Sequence, residues 1–108
     1  MEIKMFEKKY KDEVIRLILK IQNSEYQMGL TLEEQKDLLD IYNNYLANGC
    51  FYIAVDSEDH VIGTVGLQIK DNRGVFRRFF IMKSYRKVGI GGILYGKILE
   101  FASRNKLD

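Results

Sequence analysis

Residues 75–104 read VFRRFFIMKSYRKVGIGGILYGKILEFASR, and this stretch decides the fold. Val75 to Met82 is apolar and aromatic, broken only by Arg77 and Arg78, and predicts a strand. Ile93 to Arg104 has the apolar spacing of an amphipathic helix. Arg86-Lys87-Val88-Gly89-Ile90-Gly91-Gly92 lies at the junction. The first N–H groups of a helix have no partner within it and are free to bind an anion. Glycine lets the backbone approach a ligand closely, and Arg86 and Lys87 put positive charge at the same place. Together these residues predict a cradle for a phosphate or pyrophosphate.

Upstream, Val61 to Ile69 alternates and predicts another strand, joined to the last one by the turn Asp71-Asn72-Arg73-Gly74. Phe51 to Val55 is a compact apolar run, separated from the next by the acidic turn Asp56-Ser57-Glu58-Asp59. Thr31 followed by Glu34 is a capping box and predicts the start of a second helix through Leu38, Tyr42 and Tyr45. Asn48-Gly49 is its expected stop. Val14, Leu17, Ile18 and Ile21 predict a first helix over residues 10–24, after a short strand in residues 2–7. The expected order is β-α-α-β-β-β-α, an α/β (α+β-like) chain with a mixed, mainly antiparallel sheet.

A length of 108 residues suits one domain with one core. A net charge of +2 is too balanced to indicate nucleic acid, although Lys83 to Lys87 is locally basic. The single cysteine, Cys50, excludes an internal disulfide and a cysteine metal cluster; its apolar surroundings predict a buried, inert thiol. His60 sits beside the acidic turn and reads as a surface residue, with no nucleophile to pair with. No apolar run approaches the ~20 residues of a membrane span. Met1-Glu2-Ile3-Lys4 lacks a signal-peptide core, so the cytoplasm is the expected compartment.

The spacing Gly89-x-Gly91-Gly92 is too short for the dinucleotide fingerprint, and no Gly-Lys-Ser/Thr follows to make a P-loop. Arg86-Lys87-Val88-Gly89-Ile90-Gly91 instead resembles R/Q-x-x-G-x-G/A, the acyl-CoA-binding motif of the GNAT N-acetyltransferases, at every defining position. Phe79-Phe80-Ile81 and Tyr85 sit where that family has an apolar strand end and an aromatic. The element order is also similar. So are the segments Ile21-Gln22, Glu33-Glu34-Gln35 and Asp37 to Ile41, which look like the front half of small bacterial members.

This resemblance implies transfer of an acetyl group from acetyl-CoA to a primary amine of a small molecule or protein, without a metal. It implies that the backbone of Arg86, Lys87, Val88, Gly89, Ile90, Gly91 and Gly92 holds the pyrophosphate, with Arg86 and Lys87 adding charge. Backbone groups of Phe79 and Ile81 would pair with the pantetheine arm. Glu25 and Tyr26 fall in the region that meets the acceptor. No catalytic residue carries over. The glutamate that some members keep on the strand before the motif is replaced here by Val75 to Phe80, which holds no carboxylate. Arg77 or Arg78 is a candidate for meeting an acidic substrate, or else a solvated or salt-bridged strand residue.

The resemblance covers the whole chain but only about the first two-thirds of such a domain, omitting its closing strands. Residues 1–108 are therefore expected to form one acyl-CoA-binding domain with an uncovered sheet edge, which a homodimer would cover. A non-catalytic acyl-CoA-binding or self-associating fragment is the rival expectation.

Overall fold

Alternation along Gly49–Val55 sends Phe51, Ile53 and Val55 to one face and Cys50, Tyr52 and Ala54 to the other. Both faces are buried, so this strand, β2, lies at the heart of the fold. The structure is a computed structural model and describes residues 1–107. β1 is Glu2–Met5, β3 is Val61–Lys70 and β4 is Arg73–Ile81. The sheet order is β1-β2-β3-β4, and every pairing in it is antiparallel. The turn between β3 and β4 has Asp71 and Asn72 both at positive φ, 51° and 63°, as a tight two-residue hairpin requires.

Helices cover both faces. α1, Lys11–Lys20, follows a 3-10 turn at Lys8–Tyr10 and runs into a wider π turn at Ile21–Glu25. Its stripe of Val14, Leu17, Ile18 and Ile21 packs on Phe51, Ile53 and Val55. On the opposite face Ile90, Leu94 and Ile98 pack against Cys50, Tyr52, Ala54 and Leu67. Fully burying a side chain of this size contributes about 1.5–3 kcal/mol.

The second helix differs from expectation. Residues 36–48 form a 3-10 segment (Lys36–Asp40), a single α turn, α2 (Ile41–Asn44), and a 3-10 turn (Leu46–Asn48). Glu34 does reach back: its carboxylate accepts from the Thr31 N–H at 3.1 Å and the Thr31 hydroxyl at 2.9 Å. No helix grows from that pair, because polar side chains are taken elsewhere. Gln35 is non-helical, with φ of -130° and ψ of 63°, and is bonded to Gln22; Asp37 is bonded to Arg78, and Asp40 caps Asn43 at 3.1 Å. At the stop only Gly49 leaves the usual regions, with φ at 151°. A Cβ there would fall 1.9 Å from the Leu67 carbonyl oxygen, so only glycine fits.

Candidate functional site

β4 lies at the edge of the described sheet and bends before it ends. Gly66 faces Arg77 and Thr64 faces Phe80, so Arg78 and Phe79 together oppose Val65 in a β-bulge. Arg78 takes a left-handed φ of 56°, which costs a non-glycine residue about 1–2 kcal/mol. Its surroundings hold it there. Its guanidinium meets both oxygens of Asp37, at 2.6 and 2.8 Å, and Gln35 Oε1 at 2.5 Å. The Tyr45 hydroxyl donates to Asp37 at 2.6 Å, and Gln22 and Gln35 exchange two bonds of 2.8 Å. The Thr64 hydroxyl donates to the Arg78 carbonyl at 2.8 Å. Burial pushes the Asp37 carboxyl up, but hydrogen bonds from Arg78 and Tyr45 outweigh this and hold it below its ordinary value. Asp37 is therefore an anion and a poor proton acceptor.

After β4 the chain makes a 3-10 turn at Lys83–Tyr85 and then enters α3, Ile90–Arg104. The helix begins three residues earlier than the sequence pattern predicts, so Gly91 and Gly92 lie in its first turn. Lys87 and Gly89 carry φ of 68° and 90° and turn the backbone into the helix. Among the described residues no acceptor takes the N–H groups of Val88, Gly89, Ile90, Gly91 or Gly92. Packing does not require these glycines. A Cβ at Gly89 or Gly92 would meet nothing within 4 Å, and one at Gly91 would make an ordinary 3.4 Å contact with the Phe79 ring. Gly89 is fixed by its left-handed backbone. Gly91 and Gly92 leave a bare patch of unpaired amides at a helix N-terminus, which suits an anion.

The charge around this patch differs from the sequence reading. Lys87 is exposed. The Arg86 side chain turns away: its Nε donates to the Ile81 carbonyl at 2.9 Å, and its two terminal nitrogens donate to Glu25 at 2.6 and 2.8 Å. Its charge is thus already matched by a carboxylate, whose pKa the Arg86 hydrogen bonds lower. Glu25, expected in the acceptor region, ties the end of the π turn to the start of the glycine loop. Tyr26 is exposed and lines a groove of about 210 Å³ with Ile21, Phe79, Phe80, Ile81 and Arg86. The structure therefore brings Tyr26, Phe79, Ile81 and Arg86 around one groove, next to the glycine loop.

Of the two strand arginines, Arg78 is salt-bridged as above, while Arg77 donates to Gln68 at 3.3 Å. Sequence reasoning missed the Gln22–Gln35–Arg78–Asp37–Tyr45 network, whose members are scattered over the chain. Cys50 is fully buried and its thiol is pushed up to about 12 by burial. His60 lies at the surface, 3.6 Å from Glu13. Among the described residues no cluster of His, Cys, Asp and Glu could hold a metal ion, and no helix is long and apolar enough to cross a membrane.

Comparison with known proteins agrees with this geometry. The profile of the Acetyltransferase (GNAT) family matches residues 15–107. A GNAT-family acetyltransferase from Staphylococcus aureus Mu50 is similar, with 31% identity and a TM-score of 0.95, over 99% of this chain and 68% of that one. An acetyltransferase from Streptococcus agalactiae 2603 has 30% identity and a TM-score of 0.91, over 98% and 68%. The PaiA N-acetyltransferase of Thermoplasma acidophilum, solved with coenzyme A, shares the fold at 16% identity and a TM-score of 0.74, over 99% and 76%. A comparison with curated proteins found no match. With its edge-strand bulge, its amide-lined helix start and a family profile spanning most of its length, the chain belongs to the GNAT acetyltransferase family.

Proposed function

We propose that the chain binds acetyl-CoA and transfers its acetyl group to a primary amine of a small molecule or protein. The observation that carries this reading is the row of unpaired N–H groups from Val88 to Gly92, at two glycines that packing does not demand. The donor supplies the activated acetyl thioester. The chain supplies the rest. Amides of residues 87–92 hold the pyrophosphate, the Arg86 N–H being bonded to the Lys83 carbonyl at 3.3 Å; Lys87 adds charge, and Phe79 and Ile81 on the open edge of β4 offer backbone groups to the pantetheine arm. The groove beside Tyr26 receives the amine. Fixing two reactants in line is itself a large share of such catalysis. The two carboxylates near β4, Glu25 and Asp37, are each held ionised by an arginine. We therefore assign neither of them the amine proton. The relatives solved with coenzyme A support the choice of donor. Residues 1–108 act as one domain in this reading, in the cytoplasm, with no metal and no nucleic acid.

The test is titration with coenzyme A followed by thiol release from acetyl-CoA across a panel of amines. Saturable binding with release supports the reading, and absence of binding overturns it. One observation favours the second reading, a non-catalytic or self-associating acyl-CoA binder. Phe76, Phe79, Tyr95 and Leu99, 40–51% exposed, form an apolar band across β4 and α3. Binding without thiol release, together with a mass by light scattering that doubles with concentration, favours the homodimer.

A further inference from the structure

The Glu25–Arg86 pair joins residues 61 apart in sequence. It is bidentate, with both side chains only about one-third to one-quarter exposed (34% and 26%). Arg86 is held at a third point by the Ile81 carbonyl, so its whole fork is fixed to the end of the π turn and the end of β4. The next residue, Lys87, carries a left-handed φ of 68° that an unanchored loop would relax. On the other side, Glu25 ends the π turn, and Tyr26 to Leu30 leads from it into the segment that Asn23 closes with two bonds to Leu30. A carboxylate so near an anion cradle opposes the anion electrostatically. Its presence calls for a reason other than attraction.

We infer that Glu25 is a positioning residue for the glycine loop: through Arg86 it fixes the backbone of residues 86–92 and couples it to residues 26–30 beside the acceptor groove. The inference rests on the coenzyme A reading of that loop. Glu25 touches no ligand in this role. Its two oxygens accept from Arg86, Arg86 stays aligned on Ile81, and the amides after it point where an anion can reach them. Order in the loop then costs less when coenzyme A binds.

The experiment compares the full chain with Glu25→Ala and Glu25→Gln by 15N relaxation without ligand and by calorimetric titration with coenzyme A. For Glu25→Ala, order parameters of residues 86–92 and 26–30 are expected to fall from about 0.85 toward 0.6. The coenzyme A Kd is expected to rise about fivefold, the upper range for a partly exposed pair, with the difference shrinking at high salt. Glu25→Gln keeps one acceptor for Arg86 and should recover about half the loss. A thermal midpoint close to the original separates positioning from unfolding. Unchanged order parameters overturn the inference, as does a Kd that stays constant or tightens. If the original chain binds no coenzyme A, the cofactor reading fails while the relaxation comparison still decides the positioning claim.

Discussion

Replacing Asp37 with asparagine should destabilise the chain by about 2 kcal/mol, because it removes the charge that faces Arg78. Asp37 and Arg78 side chains are 16% and 12% exposed. Breaking a fully buried pair costs about 3–5 kcal/mol, and partial exposure scales that down. Asparagine keeps one acceptor for Tyr45 or Arg78, which limits the loss further. With a urea slope near 1.5 kcal/mol/M, the midpoint should fall by about 1.3 M. Arg78→Met should cost a similar amount. The double variant should fall short of the sum by at least about 1 kcal/mol, since the two residues act as one unit. Arg78→Gly should cost less than Arg78→Met, because glycine relieves the left-handed φ of 56°. The pH dependence has a definite sign. The folded pKa of Asp37 lies below its ordinary value, so the contribution is complete above roughly pH 4 and is lost as pH falls through the folded value. The gap between the original and Asp37→Asn should hold from about pH 6 to 8 and close in acid. Urea melts followed by circular dichroism and fluorescence measure all of this. A coupling below about 0.3 kcal/mol would refute the clamp.

Gly92→Ala adds a Cβ in open space within the first turn of α3. It should leave the stability unchanged or raise it by a few tenths of a kcal/mol, yet weaken coenzyme A binding roughly tenfold by crowding the amides. Loss of stability instead of affinity would make this glycine a packing residue. Cys50, buried with its thiol pushed up to about 12, should resist alkylation at pH 8 in the folded chain and react fully in urea. Rapid labelling of the native protein would contradict the packing around β2.

Much of the fold was legible because it follows from local pattern. The compact apolar run of β2, the alternation of β3 and the stripe of α1 appear where residue spacing places them, while of the turn read at Asp71-Asn72-Arg73-Gly74 only Asp71 and Asn72 turn and Arg73 and Gly74 already belong to β4. The glycine loop was legible for the same reason, since an anion cradle needs only a contiguous segment. What escaped depends on distance in sequence. Thr31 and Glu34 form their pair, but Asp37 is drawn to Arg78, 41 residues away, and the predicted helix breaks into short turns. The bulge at Arg78 has no signature in VFRRFF, because the strain it stores is balanced by Gln35 and Asp37. Arg86 reads as a phosphate ligand until Glu25, 61 residues earlier, is seen to occupy its guanidinium.

The amides that open α3 carry the coenzyme A reading. Titrating coenzyme A into 15N-labelled protein tests them directly. Saturable shifts concentrated at residues 87–92, with smaller ones at Phe79 and Ile81 on β4, are the predicted result. No shifts at coenzyme A concentrations well into the millimolar range would contradict it, as would shifts centred on another surface, such as the groove lined by Lys20, Met82 and Lys83.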